Sequence, residues 1–261
     1  MGEEVHSQFS EDADIETATQ GYASRFQGPA GEYFLEAQTR LTLELMRRWP
    51  EATVLDVGGG HAQLAVPLAR AGYRVTVTGS SSACANRLES SLGQGLLDFR
   101  CCDMLNLPFE RREFDIVIAF RLLPHVHQWQ RLVGELCRVA RHAVVVDYPD
   151  RRSFNFVQGL FFGWKKAVEK NTRPFRCFTR TQLAAEFAKH GFGRPDIRPE
   201  FFWPMVLHRA LNRGAFSRSL EAVSRALGLT STFGSPVIMR VHPSKTVEPS
   251  PTASAATEAP R

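Results

Sequence analysis

Short apolar runs alternate with amphipathic stretches through the middle of the chain. Thr53–Val57, Tyr73–Thr78, Leu96–Cys102, Phe114–Phe120 and Ala143–Asp147 read as strands. Ala62–Ala71, Ala83–Ser91 and Trp129–Ala140 lie between them and read as helices. The last of these places Leu132, Val133, Leu136 and Val139 on one face. Strands that alternate with helices predict an α/β fold with a doubly wound, mostly parallel sheet. Ile116–Ala119 and Ala143–Val146 carry no polar interruption, which predicts strands covered on both faces. Two later runs, Pro199–Met205 and Ser235–Val241, complete a seven-stranded sheet.

The flanks follow other patterns. Residues 15–48 are mostly helical, with a break expected around Gly28-Pro29-Ala30-Gly31 and a stop at Pro50. Residues 1–15 read as an acidic, mobile leader. Residues 244–261 are rich in Pro, Ser, Thr and Ala and read as a disordered tail. A single domain is expected over 16–243. It carries a helical, aromatic insertion at about 150–195 after the fifth strand, and a helical insertion at about 207–227. Phe156, Leu160, Trp164 and Val168 recur every four residues, as one helical face would. Residues 150–213 hold 13 Lys or Arg against 5 Asp or Glu, and 12 of the 27 aromatics.

Composition narrows this picture a little. The chain has 261 residues, with 43% hydrophobic and 23% charged, as globular proteins do. It has no apolar run of about 18 residues and no secretory-type start, so a cytoplasmic protein without a membrane span is expected. The five cysteines have no Cys-x-x-Cys spacing, and no metal site is expected. A net charge of +5 is compatible with an anionic partner without requiring one.

The candidate chemistry lies in Val54-Leu55-Asp56-Val57-Gly58-Gly59-Gly60. A strand that ends in a glycine turn before a helix presents backbone N–H groups at the carboxyl edge of a parallel sheet, where ligands of such folds bind. A dinucleotide fingerprint would need glycine at position 63, which is Gln63, and an acid at the end of the second strand. That strand ends in Thr78-Gly79-Ser80-Ser81. No Gly-Lys-Ser/Thr follows the turn, so the P-loop pattern is absent.

Val54–Ala69 resembles the first motif of the class I S-adenosylmethionine-dependent methyltransferases, of the methyltransferase type 11 kind. Cys102-Asp103-Met104, Phe114–Ile118 and Leu123-Pro124-His125-Val126 follow in that family's order, so the resemblance covers roughly residues 50–148. It implies S-adenosylmethionine as cofactor. Asp56 would face the methionine ammonium, Gly58 and Gly60 would pass the ligand closely, and Asp103 would take a hydrogen bond from the adenine amino group. Met104 would pack on the ring, with Phe120 and Arg121 flooring the methyl end. The family's ribose-binding acid is missing. Gly79 stands there, with Ser80 and Ser81 as neutral alternatives, and Ala62 replaces a motif glycine.

His125 reads either as an acid–base group or as a packing residue at a helix start. Asp147 and Tyr148 face the cleft, so Tyr148 is a second catalytic candidate. The expected function is methyl transfer to a small, apolar or aromatic acceptor under an aromatic lid. Two alternatives stay open, an RNA methyltransferase and a non-catalytic S-adenosylmethionine binder. Phe161, Phe162, Phe201, Phe202 and Trp203 are alternatively a satellite core.

Overall fold

The computed structural model describes residues 9–153, 175–211 and 213–244. At its centre is a seven-stranded sheet in the order β3-β2-β1-β4-β5-β7-β6. The strands are β1 (Thr53–Val57), β2 (Arg74–Gly79), β3 (Asp98–Cys101), β4 (Phe114–Ala119), β5 (Ala140–Tyr148), β6 (Asp196–Pro199) and β7 (Val237–Val241). The first five pair in parallel, while β7 runs antiparallel to β5 and β6. The chain runs from β1 outward to β2 and β3, then returns to β4 on the other side of β1. The carboxyl ends of β1 and β4 therefore form the switch point, where a crevice opens.

Side-chain alternation in β4 divides the core into two layers. Ile116 and Ile118 join Leu41 and Leu45 of α3 (Gly28–Met46) and Leu68 of α4 (Ala65–Arg70). Val117 and Ala119 face the opposite layer, with Leu132, Val133 and Leu136 of α6 (Trp129–Val139) and Leu183 and Phe187 of α7 (Arg180–Lys189). All four β4 residues are fully buried, as the uninterrupted apolar run predicts. Each buried leucine stabilises the fold by about 1.5–3 kcal/mol relative to exposure. α5 (Glu89–Gly93) is short, because Ser82–Leu88 before it is a 3-10 turn and not part of the expected helix.

The N-terminal region departs from expectation. Residues 1–8 lie outside the described residues, but Ala13–Thr17 forms α1, with Ala13 and Asp14 buried, and Gln20–Ala23 forms α2. The expected mobile leader therefore does not extend to residue 15. The break in the helical region falls at a 3-10 turn over Ser24–Phe26. Gly28-Pro29 instead opens α3, where proline's missing N–H costs nothing.

The expected strand Pro199–Met205 is corrected in the same way. β6 ends at Pro199, and Met205 opens α8 (Met205–Leu211). The N–H groups of Phe202 and Trp203 donate to the Glu221 carboxylate at 3.0 Å each, so they are not available to a strand ladder. Glu221 lies on α9 (Gly214–Ala226), which is followed by α10 (Leu229–Phe233). Phe201 packs edge-on to Phe34 at 4.3 Å and belongs to a satellite cluster with Tyr33 and Ala37. Phe201 thus follows the core alternative. The periodic face at Phe156, Leu160, Trp164 and Val168, with Phe161 and Phe162, lies outside the described residues, as do residues 245–261. Among the described residues no helix is long and apolar enough to cross a membrane, and no group of His, Cys, Asp and Glu could hold a metal ion.

Candidate cofactor and acceptor site

β1 runs into a tight turn. Gly58 has φ 73° and Ala62 φ 61°, both left-handed, with a 3-10 turn over Gly59–His61 between them. Glycine adopts this conformation freely, whereas an alanine there is strained by about 1–2 kcal/mol. Ala62 therefore keeps the backbone shape that a glycine would give. Gly59 is required for another reason, since a Cβ on it would lie 2.2 Å from Asp56 Oδ2.

Asp56 is fully buried against that turn, and neither carboxylate oxygen has a hydrogen-bond partner among the described residues. Burial alone pushes its pKa up to about 7. A buried carboxylate without a donor is costly, and a ligand ammonium would supply the missing donors and charge. His61, in the same turn, stays neutral. Burial, Arg121 and Arg87 push it down to about 3, and its Nδ1 accepts from the Gln63 N–H at 3.1 Å.

The end of β2 has been rebuilt. A Cβ on Gly79 would lie 2.5 Å from Cys84 Cβ and 3.2 Å from the Phe99 ring, so no acid fits there. A carboxylate reaches this place from α1 instead. Asp14 accepts from the Ser80 N–H and from the Ser80 hydroxyl, at 2.6 Å each, and from the Cys84 thiol at 3.4 Å. Asp14 Cβ lies 3.4 Å from where a Gly58 Cβ would be, and Ala18 Cβ lies 3.2 Å from where a Gly60 Cβ would be. α1 and the residue after it therefore stand directly over the glycine turn. On the third side, Asp103 Oδ1 accepts from the Leu105 N–H at 2.8 Å. Met104 and Phe120 are buried. Met104 shares its apolar cluster with Ala13, Val57 and Leu122.

Beyond the ends of β4 and β5 lies a cavity of about 260 Å³, lined among others by Tyr22, Arg121, His125, Asp147, Tyr148 and Met205. Arg121 is left-handed, with φ 56°. Its N–H donates to Asp147 Oδ1 at 2.5 Å, and its guanidinium stacks 4.3 Å over Phe26. Burial raises the Asp147 pKa, against the pull of Arg121. Glu200, just after β6, is buried with Oε1 unpartnered among the described residues. Burial and then Asp147 push it up to about 8. The Tyr148 hydroxyl is buried without a partner among the described residues, and burial and Asp150 raise its pKa, so it remains a neutral phenol. His125 is half-buried, its ring 5.6 Å from that of Phe175.

Residues 55–145 match a family model described as a methyltransferase domain. Over that segment, from β1 into β5, the chain is similar to methyltransferases. Norajmaline N-methyltransferase of Rauvolfia serpentina is 25% identical over 185 residues, which is 64% of this chain and 63% of that protein. The chain therefore spans less than two thirds of that relative's length. Magnesium protoporphyrin IX methyltransferase from Synechocystis PCC 6803, solved with bound SAH, superposes with a TM-score of 0.55 at 15% identity, covering 88% of this chain and 86% of that one. The cyclase SpnF superposes equally well, with a TM-score of 0.55 at 21% identity and 79% of each chain covered. Likeness at these identities establishes the fold and leaves the reaction to the site.

Two groups of residues come together at this edge of the sheet. Asp56, Gly58, Gly60 and Ser80 gather at the turn with Asp14, while Arg121, His125 and Tyr148 meet in the cavity. Gly79 has no side chain to offer a ligand, and a Cβ there would meet Cys84. Sequence reasoning missed Asp14, because the acidic run Glu11-Asp12-Ala13-Asp14 looks like a solvated leader. It also missed Glu200, whose one signal is a lone acid beside the aromatic run Phe201-Phe202-Trp203.

Proposed function

We propose that this chain binds S-adenosylmethionine at the glycine turn and transfers its methyl group to a small molecule held in the cavity at the ends of β4 and β5. The observation that carries this reading is Asp56, a fully buried carboxylate with both oxygens unpartnered among the described residues, which suits the methionine ammonium. Asp103 would take the adenine amino group and Met104 would pack on the ring, while backbone around Gly58 and Gly60 would border the ligand. When bound, the cofactor supplies a methyl group already activated by its sulfonium, so positioning the acceptor supplies much of the catalysis.

The cavity residues fit that task. Tyr148, held as a neutral phenol, donates a hydrogen bond and does not act as a base. His125 borders the same space and would accept a proton from the acceptor. A volume of about 260 Å³ with Pro124, Phe175 and Met205 in its wall suits a compact, partly apolar acceptor. The named activity of the Rauvolfia relative favours a nitrogen atom as the methylated position.

A second reading, a protein that keeps the fold without methyl transfer, is favoured by one observation, the packing of α1 on the glycine turn. Calorimetry with S-adenosylhomocysteine, followed by incubation of labelled S-adenosylmethionine with a panel of small amines and phenols, separates the two. Binding together with label in a product supports methyl transfer. Binding without any labelled product supports the second reading, and no binding at millimolar ligand by folded protein refutes both.

A further inference from the structure

We infer that Asp14, carried by α1, is the carboxylate that holds the cofactor's ribose diol, in place of the acid missing at Gly79. The assignment rests on the proposed cofactor site and adds a residue outside the matched segment 55–145. Three observations converge on it. Position 79 cannot carry a side chain, because Cys84 and Phe99 fill the space a Cβ would enter. Asp14 is fully buried at the next residue, with its Cβ in contact distance of the first turn glycine. Its two oxygens each take one donor from Ser80, an N–H and an O–H, both at 2.6 Å.

That pairing has the pattern a vicinal diol would present, two donors side by side on one carboxylate. In the ligand-free protein the Ser80 groups stand in for the two ribose hydroxyls. Asp14 Oδ2 also takes the Cys84 thiol at 3.4 Å, so the diol replaces the Ser80 donors instead of joining them. Room for a sugar between α1 and the turn needs α1 to rise. The Cβ atoms of Ala18 and Asp14 now sit 3.2 Å and 3.4 Å from the places that Cβ atoms on Gly60 and Gly58 would occupy. Because the acid sits on α1, the position of that helix and the binding of the ribose are coupled.

The test measures affinity for S-adenosylhomocysteine and for its 2′-deoxyribose analogue in the full-length wild type and in Asp14→Asn. A charged hydrogen bond to a hydroxyl predicts that wild type prefers the diol by about tenfold or more. Asp14→Asn should bind S-adenosylhomocysteine about tenfold more weakly, with its preference for the diol falling to about twofold. An unchanged preference in Asp14→Asn would sink the assignment. Tighter binding by Asp14→Asn would overturn it too, since Asp14 would then be a competitor of the cofactor. Hydrogen exchange of wild type covers the case in which the variant does not fold. Saturating S-adenosylhomocysteine should slow exchange at residues 11–18, and faster exchange there means α1 leaves the site and Asp14 does not hold the ribose. Failure of wild type to bind S-adenosylhomocysteine would instead refute the cofactor reading itself.

Discussion

Asp56→Asn is expected to stabilise the ligand-free protein above neutral pH while weakening its hold on the cofactor. The unfolded chain releases this proton near 3.8 and the folded chain near 7. Between those values the folded state keeps a proton that the unfolded state has lost, so stability falls as pH rises from about 4 to about 7 and is flat above. The gap corresponds to roughly 4 kcal/mol of destabilisation at pH 8. Asparagine does not ionise, so it escapes that penalty, but its amide is still buried without partners at a cost of about 1–3 kcal/mol. The net gain above pH 7 is therefore about 1–3 kcal/mol, or a rise of about 2–10 °C in Tm for a chain of this size. Near pH 4.5 wild-type Asp56 is also neutral, and the gain should vanish. Scanning calorimetry of both proteins from about pH 4.5 to 8.5 reads this directly. The same variant should bind S-adenosylhomocysteine about tenfold to a hundredfold more weakly, having lost a charged partner for the ammonium. A variant no more stable than wild type at pH 8, or a stability difference that does not change with pH, would refute the reasoning.

Three further outcomes follow from single contacts. Ala62→Gly relieves a left-handed alanine and should raise stability by about 0.5–1 kcal/mol in thermal melts, with cofactor affinity unchanged. Gly79→Asp restores the family's acid in sequence but drives a Cβ to within 2.5 Å of Cys84 Cβ, so it should cost about 1–3 kcal/mol in urea denaturation and leave S-adenosylhomocysteine affinity no tighter. Arg121→Met removes the cation that lies beside Asp147 and Glu200. It should destabilise by about 2–3 kcal/mol, and by more near pH 9 than near pH 6, because Glu200, pushed up to about 8, ionises between the two. Denaturation midpoints at the two pH values check this.

The central sheet was legible because its signals are local and redundant. Ile116–Ala119 and Ala143–Val146 read as strands covered on both sides, and the glycine turn after Val57 marks the edge where parallel sheets of this kind bind ligands. The C-terminal region was less legible because tertiary contacts decide it. Phe202 and Trp203 look like strand residues until Glu221, 18 or 19 positions later, takes their N–H groups. The site divides along the same line. Asp56 and Asp103 sit in motifs and could be named from the sequence. Asp14 acts across 66 residues on Ser80, and no local pattern joins an acidic leader to the end of β2. The family resemblance implies that Arg121 would floor the methyl site. Its left-handed backbone and its bond to Asp147 emerge only with β4 and β5 side by side.

Five local conflicts in this molecule gather at one edge of the sheet, while others, such as the left-handed Glu51 and Arg112 before β1 and β4, lie away from it. Asp56 has no donor, Ala62 and Arg121 are left-handed without being glycine, and the Tyr148 hydroxyl and Glu200 Oε1 have no partner among the described residues. All five lie at or just beyond the carboxyl ends of strands or in the segment after β6, while the two core layers beneath are apolar and closed. Strain and unmet polarity persist only where the surrounding fold over-determines them, and they concentrate where a ligand supplies the missing partners. Most of these positions border the glycine turn or the neighbouring cavity, which is the arrangement that donor and acceptor require in a group transfer. The pattern sets a direct trade between stability and function. Substitutions that satisfy these groups internally should raise Tm and reduce ligand affinity together, whereas the same number of changes in the two core layers should only lower Tm.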